Sequence, residues 1–158
     1  MIEPILKAQL ERDEGRKLVA YRDSAGYWTI GVGHLLGTSP RMSSITDEEC
    51  DALLRADVEE AIRSLSNVFG EKEILLGLNQ PRMRAMVNMM FNRGEGRVRS
   101  STTITPAIKR ALGIMQTQPQ NTEVWKAVSD AILASPWAAQ IKSRGNRLAK
   151  QFETGEDQ

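Results

Sequence analysis

Leu18-Val19-Ala20-Tyr21-Arg22, Asp23-Ser24-Ala25-Gly26, Tyr27-Trp28-Thr29-Ile30-Gly31-Val32 is the run on which the reading of this chain turns. Its outer pieces are rich in aromatic and β-branched residues, and its middle piece opens with Asp and closes with Gly, as a tight turn does. The run reads as a β-hairpin. Just before it, Ile2, Ile5, Leu6 and Leu10 recur at helical spacing, Pro4 sits where a first helical turn tolerates it, and Gly15 offers a C-terminal stop. Helix gives way to hairpin within a few residues.

Beyond a polar loop around Thr38-Ser39-Pro40, Thr46 and Glu49 have the spacing of a capping box, starting a long helix with Leu53, Leu54, Val58, Ile62 and Leu65. Residues 66–78 are less regular. Asn79 can cap a helix whose Met83, Met86, Val87, Met90 and Phe91 follow an i, i+3, i+4, i+7 pattern. Gly94-Glu95-Gly96 and Arg99-Ser100-Ser101-Thr102-Thr103 read as a loop, with helices expected near 105–114, 121–134 and 137–152. The pattern is a small β-containing lobe, a linking helix and a helical lobe, without a Pro- or Ser-rich linker or an internal repeat, and function is expected between the lobes.

Composition narrows the chemistry. A chain of 158 residues suits one compact domain, and 41% hydrophobic with 26% charged residues is ordinary for a globular protein. One cysteine, Cys50, and one histidine leave no internal disulfide and no His/Cys metal cluster, so neither metal nor other cofactor is expected. Glu3, Lys7, Glu11 and Arg12 interrupt any signal-peptide core, and no apolar run is long enough to span a membrane. Synthesis in the cytosol without stable membrane insertion is therefore expected. Residues 1–78 carry fourteen acidic against nine basic side chains, and residues 79–158 carry twelve basic against six acidic. The basic residues lack an arginine-rich tail or interleaved aromatics, which argues against nucleic acid and for an acidic half facing a basic half.

Glu11, Asp13 and Glu14 crowd the end of the first helix, where the macrodipole favours cations instead. This is either an exposed acidic helix end or an environment suited to a general acid. Asp23 opens the turn nine residues later, a position Asp often takes for structural reasons alone. Taken together, a helix end running into a hairpin can hold two carboxylates across a groove, as glycoside hydrolysis needs. Gly31-Val32-Gly33-His34 lacks the third glycine and the Lys-Ser/Thr of a phosphate loop. Its glycines suit a strand turn or a close backbone approach, and Trp28 suits packing, with sugar stacking as the alternative for Trp28 and Tyr27. His34 reads as a histidine held by a structural hydrogen bond, with Asp57 the candidate partner. Lys142, Arg144, Arg147 and Lys150 lie on the polar side of the helix after Trp137, a solvated face that could also meet an anionic wall polymer or membrane surface.

Asp13-Glu14-Gly15 followed by Tyr21 through His34 closely resembles the phage-type lysozymes, the T-even phage enzymes among them. Similarity continues through Ile45-Thr46-Asp47-Glu48, Asn88-Met89-Met90-Phe91-Asn92 and Phe152-Glu153-Thr154-Gly155. The resemblance implies an α+β, two-lobed lysozyme fold as a single catalytic domain over 1–158. In it the small lobe spans about 13–45 and the linking helix about 46–66, with the helical lobe made of 1–12 plus 67–158. It implies a muramidase that cleaves the β-1,4 bond between N-acetylmuramic acid and N-acetylglucosamine in bacterial peptidoglycan by inversion. Glu14 matches the family's proton donor, Asp23 its second carboxylate, and Thr29 the residue that positions the attacking water. Leu35 and Phe91 match cleft-lining positions, Arg144 an arginine that reaches toward the catalytic glutamate, and His34 with Asp57 a structural ion pair. A free endolysin released to the wall through a holin, a virion-associated lysozyme and a prophage enzyme serving its host are the alternative settings, of which the absent signal and anchor favour the first, and a monomer is expected. Two stretches depart from the pattern. The segment from His34 to Thr46 is much shorter than in the T-even enzymes, implying a trimmed outer hairpin. Residues 94–106 lack the expected glycine- and phenylalanine-containing sequence. A lytic transglycosylase and a non-enzymatic wall-binding or membrane-disrupting protein are the competing readings; the retained Asp23 and Thr29 argue against the first, and the intact catalytic spacing against the second, whose action could coexist with hydrolysis.

Overall fold

A computed structural model describes residues 2–158, which form eight helices and a three-stranded antiparallel sheet, an α+β lysozyme-like fold. The first helix, α1 (Pro4–Glu14), starts where the Glu3 carboxylate accepts from the Leu6 amide at 3.0 Å and stops at Gly15, whose φ of 77° a side chain would resist. The hairpin follows as β1 (Lys17–Arg22) and β2 (Trp28–Gly31), with Tyr21 opposite Thr29 and Arg22 opposite Trp28.

A third strand, β3 (His34–Gly37), pairs with β2 in the order β1-β2-β3 where the sequence reading placed only a turn and a polar loop. The turn between β2 and β3 is Val32-Gly33, and Gly33 has φ +72°, so the two glycines of Gly31-Val32-Gly33-His34 serve a strand reversal. The chain then returns along the free side of β1, where Ala20 donates to the Ser43 carbonyl and Ile45 to that of Leu18, each at 2.9 Å. The capping box forms: the Thr46 amide donates to Glu49 Oε2 at 2.8 Å and the Glu49 amide to Thr46 Oγ1 at 3.2 Å, opening α2 (Asp47–Phe69).

The less regular stretch after α2 contains a short helix, α3 (Glu71–Gly77). Asn79 caps α4 (Gln80–Arg99), its Oδ1 accepting from the Arg82 amide at 3.1 Å. The expected loop at Gly94 is a single break: Gly94 alone leaves helical geometry (φ 72°, ψ 160°), and the helix resumes to Arg99. There follow α5 (Ile104–Thr117) and α6 (Val124–Leu133). The last expected helix is two, α7 (Pro136–Ile141) and α8 (Ser143–Thr154), separated at Lys142 by φ 49° and ψ −120°. Gly145 lies so close to α7 that an added Cβ would stand 3.0 Å from the Ala138 Cα.

The chain divides into two compact units, with the boundary inside α2 after Glu60. In the first, the buried apolar side chains are Leu6, Leu10, Ile30, Val32, Leu36, Cys50, Leu54 and Val58. Gly31, at φ +66°, leaves room for the Cys50 sulfur, which an added Cβ would meet at 3.3 Å, and burial pushes the Cys50 thiol up. In the second, Trp125 and Phe152 stack at 6.0 Å within a core that includes Met86, Met89, Met90, Ile108 and Leu112. Arg82, itself buried, lies over the Trp125 ring and donates to the carbonyls of Phe152 (2.8 Å) and Glu153 (3.1 Å). Asn79 to the Gly155 carbonyl and Gln151 to that of Pro81 complete the tie between the start of α4 and the end of α8. Among the described residues, no helix is long and apolar enough to cross a membrane.

Candidate active site

The first unit holds six of the residues singled out from sequence: Glu14, Asp23, Thr29, His34, Leu35 and Asp57. Glu14 is the last residue of α1 and is half-buried. Its carboxyl lies against the β2–β3 turn, where a Cβ on Gly33 would stand 3.3 Å from both the carboxyl carbon and Oε2. Only a glycine leaves that space open, and at a φ of +72° only a glycine sits there without strain.

Asp23 builds the β1–β2 turn with one of its oxygens. Oδ1 accepts from the amides of Ala25 and Tyr27, both at 2.9 Å, while the Asp23 main chain exchanges bonds with Tyr27 and Gly26. Oδ1 alone therefore accounts for a turn role of Asp23. Thr29 lies mid-sheet on β2, only 4% exposed, and its hydroxyl has no hydrogen-bond partner among the described residues. Buried hydroxyls are seldom left unpaired, and a catalytic role is one of the explanations for an exception.

His34 Nδ1 stands 2.8 Å from Asp57 Oδ2 and 3.1 Å from Oδ1, joining the first residue of β3 to α2. Leu35, opposite Thr29 on β3, is 59% exposed. Trp28 is half-buried beneath the Arg22 guanidinium, 5.0 Å from its ring, whereas Tyr27 faces solvent. In the second unit, Phe91 is a half-buried residue of α4, and Arg144 is a buried residue of α8 that donates from Nε to Asn88 Oδ1 at 3.0 Å. Among the described residues no cluster of His, Cys, Asp or Glu is arranged to hold a metal ion.

Two residues of the site escaped the sequence reading. For Gly33 the sequence offers a strand turn or a close backbone approach without naming what approaches, because its nearness to Glu14 depends on how β2 reverses into β3. Tyr21 was seen only as a strand residue. Burial pushes its hydroxyl up, and the charges of Glu14 and Asp23 push it further, so both carboxylates act on one phenol. The alternation of β1 and its aromatic content were the available signals, but neither says which groups face the ring.

Known proteins resemble this chain along most of its length. Over 172 residues the chain is 28% identical to "Probable T4-type lysozyme 2" of Dictyostelium discoideum, covering 95% of this chain and 94% of that protein. It is 39% identical over 103 residues to the endolysin of Salmonella phage P22, covering 61% of this chain and 65% of that one. It is 28% identical over 167 residues to the pre-baseplate central spike protein Gp5 of Enterobacteria phage T4, covering 92% of this chain but 27% of that protein. Residues 11–135, from the last turn of α1 to the residue before α7, match the phage lysozyme pattern, and the chain accordingly belongs to the phage lysozyme family and is a lysozyme-type hydrolase.

Proposed function

We propose that this lysozyme-type peptidoglycan hydrolase is a muramidase that cleaves the β-1,4 bond between N-acetylmuramic acid and N-acetylglucosamine with inversion. Glu14 protonates the leaving oxygen, while Asp23 and Thr29 hold and activate the attacking water. The observation that carries the reading is the placement of Glu14 against the β2–β3 turn and of Asp23 in the β1–β2 turn, at the two ends of the strand that holds Thr29. Glycoside hydrolysis needs an acid on one side of the scissile bond and a base on the other, and two carboxylates around one strand pair support that assignment. Inversion requires their carboxyl groups to stand roughly 6.5–9.5 Å apart so that water fits between. The unpaired Thr29 hydroxyl suits a group that receives that water.

In this reading the chain acts as a single monomeric catalytic domain. Leu35 and Phe91 contact the glycan, Arg144 is a supporting cation, and the His34–Asp57 pair holds β3 to α2. The chain works as an endolysin that reaches the wall through a holin. Digestion of purified peptidoglycan, followed by mass spectrometry with and without borohydride reduction, tests the chemistry. Reducible muramic acid ends are expected. Anhydro-muramic ends would mean a transglycosylase, and no soluble product from folded protein would mean a wall-binding role. An α-anomer in the first-formed product, read by NMR, is the expected mark of inversion, and a β-anomer would mean retention.

A further inference from the structure

Between Glu14 and β1 stands Arg16, and every nitrogen of its guanidinium is engaged. Nε and Nη2 donate to Asp47 Oδ1 at 2.9 and 2.8 Å, and Nη2 also to the Asp47 carbonyl at 3.0 Å. Nη1 donates to Glu11 Oε1 and to Asp51 Oδ1, each at 2.9 Å. One side chain thus bridges the last turn of α1 and the first two turns of α2. Lys7 adds a second bridge between the same helices, its Nζ 2.9 Å from both oxygens of Asp51, but it lies far along α1 from Glu14.

The geometry closes a circuit. The stretch of α2 that Arg16 grips, Asp47 to Asp51, contains Cys50, whose sulfur abuts Gly31 at the end of β2. Gly31 leads into the Val32-Gly33 turn, and the Glu14 carboxyl lies so near Gly33 that an added Cβ would meet it at 3.3 Å. The position of that carboxyl against the turn is thereby set from two sides: directly by Gly33, and through α2 by Arg16.

We propose that Arg16 is a positioning residue for Glu14, joining the exit of α1 to the start of α2 so that the carboxyl stands where the β2–β3 turn receives it. The inference rests on the reading of Glu14 as the acid. An ordinary exposed ion pair does little, since each long side chain gives up freedom for one screened contact. A planar fork that meets three carboxylates and a carbonyl at once does something different: it fixes geometry. Lysine, with three donors on a flexible stem, can supply the charge but not the fork.

The test is kinetic, on soluble peptidoglycan strands, with Arg16→Met, Arg16→Lys and Lys7→Met beside the parent. Misplacing an acid by about an ångström costs roughly tenfold to a hundredfold in rate. Arg16→Met is expected to lose that much kcat at nearly unchanged KM, with Arg16→Lys recovering part of it. Lys7→Met should lose thermal stability while keeping the parent kcat. If Arg16→Met is folded by near-UV circular dichroism and retains the parent kcat, the proposal is overturned. It is equally overturned if Lys7→Met and Arg16→Met lose kcat in step with lost stability. Should Arg16→Met fail to fold, Asp47→Asn takes its place, with the same expected kcat loss and the same overturning result. An inactive parent, by contrast, would sink the reading of Glu14 itself.

Discussion

In the proposed mechanism Asp23 divides its work between the turn and the charge. Oδ1 accepts the Ala25 and Tyr27 amides that close the hairpin, and an amide oxygen would do so nearly as well. Asp23→Asn is therefore expected to keep the parent's thermal midpoint while losing about a hundredfold or more in wall hydrolysis. Asp23→Ala should lose the same activity and also about 1 kcal/mol of stability from the missing turn bonds. Activity in Asp23→Asn near the parent's would leave Asp23 as a turn residue. Glu14→Gln keeps the shape and removes the transferable proton, so hydrolysis should vanish with folding intact, and turnover by that variant would remove Glu14 as the acid. At this scale the helix end at Glu14, the turn at Asp23 and the strand at Thr29 were legible in sequence, because each is written locally, whereas the roles given to these residues came from the family resemblance. The approach of the Glu14 carboxyl to Gly33 was not legible, since it arises only after a two-residue reversal brings the turn back to α1.

Elements were legible where their ends carry chemistry and illegible where a distant neighbour decides. Gly15, the Thr46–Glu49 box and Asn79 marked the ends of α1, α2 and α4 because each satisfies its own helix terminus. Lys142 gave no such signal. A lysine at φ 49° and ψ −120° is costly, and the break between α7 and α8 persists with Gly145 tight against Ala138, a contact of the folded unit. Lys142→Gly is expected to raise unfolding free energy by about 1 kcal/mol in urea denaturation, and a loss of stability would show that the backbone there is unstrained. The bridge between α1 and α2 makes a prediction about pH. Hydrogen bonds from Lys7 and then Arg16 hold the Asp51 carboxyl below the usual aspartate range. The unfolded chain thus binds this proton more readily, so the bridge contributes its full stability above about pH 4 and loses it as pH falls further. Asp51→Asn should accordingly lower the thermal midpoint at pH 7, and its difference from the parent should shrink below about pH 4. A difference that stays constant down to acid pH would mean that the carboxylate is not what the bridge relies on.

For the whole molecule, the α+β class followed from one hairpin set among helical periodicities. The third strand and α3 did not, since four residues of β3 carry too little alternation to read and seven residues of α3 too little period. Nor did periodicity reveal how the second unit is secured at its end, by a buried arginine reaching main-chain carbonyls 70 and 71 residues away. Arg82→Met would strip the Phe152 and Glu153 carbonyls of their donor and cost about 1–3 kcal/mol. Hydrogen exchange should show the loss as faster exchange along α8, and protection equal to the parent's would mean that the tie is dispensable.

That long reach also orders events on the ribosome. Every bond from Arg82 to the end of α8 waits until residues beyond Glu153 have cleared the exit tunnel, so the second unit cannot close until then. The sheet, α1 and the Arg16 bridge use only residues before Glu60 and can assemble while the rest is still being translated. The unit that carries Glu14 and Asp23 is thus available to fold first, and the second unit closes only once the last turn of α8 is there to receive Arg82.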